Sequence, residues 1–96
     1  MLHILINTPF KSDIRLLIKS LTKRDDLIVI QDGVIFSIKQ NIFLKKVFLN
    51  TRKNYVLLND LIIRGINITD ISKIFIPINY QGFVKLTEHH KNQLIW

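Results

Sequence analysis

Apolar runs and apolar stripes alternate along this chain. Leu2 to Ile6 is a short, mostly apolar run, which predicts a buried strand, and Pro9 in Asn7-Thr8-Pro9 cannot continue its ladder. Ser12 or Asp13 then caps a helix on which Ile14, Leu17, Ile18 and Leu21 share one face of a 3.6-residue period. Lys19, Lys23 and Arg24 lie toward its C-terminal end, where the helix dipole favours cations. Leu27 to Ile30 is a second strand, and its continuous apolar character suits burial on both faces. Gly33 to Ile38 reads equally as a short helix or an extended segment.

The second half repeats the alternation. Asn41 caps a helical stretch, Ile42 to Leu49, with Leu44, Val47 and Phe48 on one side. Tyr55 to Leu58 is a third strand. Asn59 or Asp60 caps a short helix, Leu61 to Arg64, and Gly65 follows as the residue that ends it. Ile74 to Ile78 is a fourth strand, which Pro77 marks as an edge or irregular one. Asn79 caps a last helix, Tyr80 to His89, with Phe83, Val84 and Thr87 on one face, and Gln93 to Trp96 is a final strand or a docked tail. Strands alternating with helices predict an α/β fold, a mostly parallel sheet of about five strands with helices on both faces. No repeat, linker or low-complexity segment divides residues 1–96, so a single domain is expected.

Composition changes the picture in two ways. The chain is 48% hydrophobic with a mean hydropathy of +0.23, high for 96 residues. A small domain buries a limited share of its surface, so an apolar surplus points to obligate association with other chains. The net charge is +7, which raises nucleic acid as a partner. Isoleucine is the commonest residue and alanine is absent, the drift of an AT-rich genome, which also inflates lysine. The basic residues are scattered, with Lys23-Arg24, Lys45-Lys46 and Arg52-Lys53 the densest pairs. There is no cysteine, which rules out disulfides, thiolate metal sites and a cysteine nucleophile on this chain and fits a cytoplasmic protein. MLHILINTPF lacks the basic start of a signal peptide, and no apolar stretch nears the roughly 18–20 residues of a membrane span, so no membrane association is expected.

Candidate chemistry is thin. Asp32 in LIVIQDGV stands beyond the carboxyl end of a strand, where open α/β sheets place ligands. The same Asp-Gly pair also serves as a turn or helix cap, with Asp32 accepting a backbone N–H. Asp60 and Arg64 are spaced to pair across one helical turn. His89-His90 suit a helix C-terminus, and His3, inside the first strand, reads as a packed or edge histidine rather than a base. No phosphate-cradling glycine loop and no serine elbow are present, and no cofactor or metal is expected. A binding module or subunit fits these residues better than a self-sufficient enzyme.

Four stretches carry a resemblance that spans the chain: LHIL, the block DDLIVIQDGV, YVLLNDLIIRGI, and the ending INYQGFVKLTEHHKNQLIW. In this order and spacing the chain resembles the TusB family, also called the DsrH-like sulfur-relay family. The resemblance implies a small parallel-sheet fold of the DsrEFH type. It implies assembly with TusC- and TusD-like subunits into a heterohexamer, a dimer of trimers. That complex takes sulfur from a TusA-like carrier, passes it to a TusE-like one, and supports 2-thiolation of 5-methylaminomethyl-2-thiouridine at tRNA wobble positions. The sulfur-carrying cysteine of such a complex belongs to the TusD-like subunit. A chain without cysteine cannot hold a persulfide, which makes this one a non-catalytic subunit. The matching positions Asp32, Gly33, Asp60, Arg64, Gly65, Phe83 and Trp96 are then structural or interfacial, and Phe36, Phe43, Phe48 and Trp96 are candidates for contact with partner subunits. The competing readings are a small basic RNA-binding module that touches tRNA directly, and an enzyme using Asp32 as a base.

Overall fold

The computed structural model describes residues 1–96. Five strands form one parallel sheet: β1 (Leu2–Leu5), β2 (Asp26–Val29), β3 (Lys53–Leu57), β4 (Phe75–Ile78) and β5 (Gln93–Ile95), in the order β4-β3-β2-β1-β5. The helices are α1 (Ile14–Ser20), α2 (Leu44–Asn50), α3 (Leu58–Ile63) and α4 (Tyr80–His89), with a 3-10 segment at Gln31–Ser37 and a shorter one at Ile68–Asp70.

The strand order decides which face each helix covers. From β1 to β4 every step moves the same way across the sheet, and right-handed crossovers place α1, α2 and α3 on one face. The step from β4 to β5 runs back past β1, so α4 lies on the opposite face. Side chains alternate along the strands accordingly. Leu5, Leu27, Val29 and Val56 pack with Leu17, Val47, Leu61 and Phe36 in the larger core. Leu2, Ile4, Ile28, Ile30 and Leu57 pack with Leu86 of α4 in the smaller one. β1 and β2 are buried throughout, which is why their sequences are mostly apolar, with His3 and Asp26 as the buried polar exceptions.

Asp13 caps α1, its carboxylate accepting from Leu16 N–H at 3.0 Å, and Asn79 caps α4 by accepting from Gly82 N–H at 2.8 Å. Pro77 lies in β4, an edge strand. The ambiguous segment after β2 is the 3-10 helix. Four expectations need correction. α3 begins at Leu58, not Leu61, because β3 passes into it without a loop; neither Asn59 nor Asp60 caps it. α2 begins at Leu44 rather than Ile42, since the Asn41 side chain accepts from Phe43 N–H and holds the chain in a turn first. Of α2's expected inner face, Leu44 and Val47 are buried but Phe48 is 52% exposed. On α4 the inward residue is Leu86, whereas Val84 is exposed. The inward stripe is Gly82, Phe83, Leu86 and His90, a helical period with polar or small residues at both ends.

Candidate functional site

Two polar clusters sit at opposite ends of the sheet. The first gathers the residues singled out beyond the carboxyl end of β2. Gln31 takes a left-handed backbone (φ 51), which turns the chain sharply out of the strand. Gly33 N–H then donates to Ile30 O at 2.9 Å and Ile6 O at 3.2 Å. A Cβ on Gly33 would fall 2.1 Å from the Leu5 carbonyl oxygen, so only glycine fits beneath the end of β1. Asp32 caps nothing. Its Oδ1 accepts from Arg64 Nε and Nη2 at 3.1 and 3.0 Å, and its side chain is 61% exposed. The acceptor for the turn comes from another element: Asp60 Oδ2 takes the Gln31 N–H at 2.6 Å. Asp60 Oδ1 also lies 3.7 Å from Arg64 Nη1, the pair across one turn read from the spacing.

Arg64 is placed by the end of its own helix. Gly65 is left-handed (φ 67); its N–H donates to Ile62 O, and Ile66 N–H donates to Leu61 O. That is a Schellman closure, which frees the Arg64 side chain to reach back across to the 3-10 segment. Asp32, Gly33, Asp60, Arg64 and Gly65 are thus brought into one clamp. Its carboxylates face a guanidinium and a backbone amide, and none of the chain's four surface grooves is lined by them. In a sheet of this order the ligand crevice falls between β1 and β5 rather than after β2. There Trp96 O accepts from Ile6 N–H at 3.1 Å and from Asn7 Nδ2 at 3.4 Å, and the two strand ends are tied together.

The second cluster lies at the amino end of β2, where Asp25 and Asp26 are buried and the exposed Arg52 reaches in to meet Asp26. Asp25 and Asp26 are consecutive and point to opposite faces of the sheet. Asp26, with no exposed side-chain surface, accepts from Arg52 Nε at 3.0 Å and Nη2 at 2.6 Å, and from His90 Nε2 at 2.8 Å. This fork raises the Arg52 pKa further above its ordinary value. Burial raises the pKa of the neighbouring Tyr55 phenol, and the Asp26 charge adds to the effect. Asp25 accepts from the N-terminal ammonium at 3.1 Å and from Thr22 N–H at 3.0 Å. Burial alone pushes the Asp25 carboxyl up, but the ammonium, His3 and Thr22 hydrogen bonds outweigh it and hold it below its ordinary value.

His3 is buried in an interior strand, not at an edge. Its Nδ1 lies 3.1 Å from Trp96 Nε1, and indole nitrogen only donates, so Nδ1 accepts. The ring proton is therefore on Nε2, where it donates to Asp25 Oδ2 at 3.2 Å. The indole stacks on the same ring at 6.1 Å. Every nitrogen of His3 is satisfied inside the fold, which leaves it no free base. No three His, Asp or Glu side chains converge to hold a metal ion.

Asp25, Asp26 and Arg52 were not site candidates in the sequence, and His90, read as a cation at a helix C-terminus, instead reaches Asp26. The one available signal was a charged pair directly abutting a strand with no turn residue between them. Among the aromatic candidates, Phe36 is wholly buried and serves the core rather than a partner. Phe43 and Trp96 are half-buried against the larger core, and Phe83 lies half-buried beside the smaller one, edge-to-face with Tyr80. Phe48 is on the surface, and Phe10 (95% exposed), Ile62 and Ile63 are more exposed still.

The sequence profile described as DsrH like protein matches residues 7–93. The chain belongs to the DsrH-like family. It is 45% identical to Protein TusB of Buchnera aphidicola subsp. Acyrthosiphon pisum (strain 5A) over 96 residues, the whole of both chains. The solution structure of Protein Tm0979 from Thermotoga maritima is similar at a TM-score of 0.66 and 26% identity, covering 96% of this chain and 97% of that one. MTH1491 from Methanobacterium thermoautotrophicum, described as a protein of unknown function, shares the fold at a TM-score of 0.76 and 14% identity, covering 99% of this chain and 97% of that one. In this chain QDGV and DLIIRG form the clamp, while DDLIVI, FVKLTEHH and Trp96 supply the buried network.

Proposed function

We propose that this chain is a non-catalytic subunit of a TusBCD-like sulfur-relay complex that supports 2-thiolation of 5-methylaminomethyl-2-thiouridine at tRNA wobble positions. The observation that carries the reading is a DsrH-like chain, similar over its whole length to a TusB protein, that contains no thiol. Sulfur carried as a persulfide needs a thiolate, so the carrier belongs to another subunit. In this reading the partners are TusC- and TusD-like chains in a heterohexamer, fed by a TusA-like carrier, emptied by a TusE-like one, and working in the cytoplasm.

The surface supports this role. α3 and the 3-10 segment pack on each other and leave Ile35, Ile62 and Ile63 exposed, and Phe10 projects from the loop after β1. Large apolar side chains at this density fit contact with other chains. Phe43, Phe48, Phe83 and Trp96 remain candidates for that contact, with Asp32, Gly33, Asp60, Arg64 and Gly65 shaping the end of the sheet beside it.

Co-expression with TusC- and TusD-like chains, followed by light scattering, tests the proposal. A stable complex containing this chain is the expected result. A monomer that stays indifferent to both chains would overturn it.

A further inference from the structure

Four of the seven acidic residues, Asp25, Asp26, Asp32 and Asp60, are engaged in ion pairs within the fold, while none of the lysines takes part in one. Three of the free cations gather in one groove, while Arg15, Lys19 and Lys46 line a separate one. Lys23, Lys53 and Lys73 line a groove of about 450 Å³ at the amino ends of β3 and β4, beside Arg52, and no carboxylate lines it. Arg52 is already forked onto Asp26, so the three lysines hold the uncompensated charge.

Between these cations the wall is apolar. Phe48 and Leu49 at the end of α2 and Ile76 on the edge strand β4 line the same groove, and all three are exposed. The end of α2 brings little opposing charge, because Asn50 Nδ2 and Thr51 Oγ1 donate to the Lys46 and Val47 carbonyls. The groove lies at the opposite end of the sheet from the Asp32–Arg64 clamp.

We propose that this groove binds an acidic segment of a partner protein that carries an aliphatic anchor residue. The three lysines complement carboxylates, and Phe48, Leu49 and Ile76 form a slot for an apolar side chain. A nucleic acid backbone would use the lysines and leave the aliphatic wall uncovered; single-stranded bases need aromatic platforms, and Phe48 is the groove's only aromatic. The inference does not rest on the sulfur-relay reading, since peptide binding is measured whether or not the chain joins a relay complex.

Fluorescence anisotropy on the full chain, free or co-purified with the chains it binds, decides the matter. The probe is a short labelled peptide of glutamates around one leucine. Controls are the same peptide with serine for leucine, and a polyuridylate of equal charge. The leucine peptide binds, weakens about tenfold between about 50 and 300 mM salt, and loses about tenfold in the serine version. Lys53→Glu with Lys73→Glu, and separately Phe48→Ser, each weaken it about tenfold while thermal melting stays unchanged. Three outcomes overturn the proposal: no binding of the leucine peptide, equal binding of the serine peptide, or tighter binding of polyuridylate that the lysine variants abolish.

Discussion

Asp26 and Asp32 stand at opposite ends of one strand and its turn, and each is held by an arginine fork, yet they do different work. The Asp26 carboxylate is wholly buried and collects Arg52 and His90; the Asp32 carboxylate is mostly exposed and meets Arg64 alone. A buried acid stripped of its partners, or partners stripped of their acid, costs several kcal/mol, whereas an exposed pair is worth about 0–1 kcal/mol. The rule that α/β proteins bind ligands beyond the carboxyl ends of strands draws attention to Asp32. In this molecule the polar interactions that matter most energetically lie at the other end.

The carboxyl end is shaped by close backbone approach rather than by charge. Gly33→Ala therefore has the largest expected effect, about 3 kcal/mol or failure to fold, because the new methyl meets the Leu5 carbonyl. Denaturant unfolding reads this directly, and a loss under about 1 kcal/mol would mean that the turn can relax away from β1. Asp26→Ala should cost about 3 kcal/mol by leaving the Arg52 fork and His90 without their shared acceptor. A small loss there would erase the contrast between the two ends.

Acid titration probes the same buried cluster. The folded Asp25 pKa lies below its ordinary value, so its stabilisation is present above the ordinary carboxylate range and is lost as pH falls through the folded pKa. Stability should fall on acidification below about pH 4, and Asp25→Asn should flatten that slope when melting temperature is followed against pH. The smallest effect belongs to Asp32→Ala, under about 1 kcal/mol and shrinking further in high salt. A larger loss would place the clamp, rather than the buried cluster, at the centre of the fold's electrostatics.

Much of the fold is legible in the sequence because it follows from periodicity. Apolar runs became β1 and β2, Asp13 and Asn79 capped the helices they preceded, and Gly65 ended α3 as its left-handed residue. Local pattern fails where a polar side chain acts across the chain. Asp60 satisfies Gln31 N–H, 29 residues away, and Asp26 takes His90, 64 residues away; no helical or strand period encodes either contact. Leu86 was missed because its inward stripe continues into His90, a residue that a hydrophobic pattern counts as surface. Phe36 and Phe48 look alike in sequence, yet one is fully buried and the other half exposed, because only the former points into the space between sheet and helices.

The most direct measurement is sulfur transfer by the intact complex carrying Asp32→Asn in this chain, with labelled sulfur followed into tRNA 2-thiouridine. A non-catalytic subunit whose carboxyl-end carboxylate only holds the 3-10 segment predicts a complex that assembles in normal yield and transfers sulfur at an unchanged rate. Normal assembly with transfer reduced about tenfold or more, a barrier change of about 1.4 kcal/mol or greater, would contradict that reading and assign chemistry to Asp32.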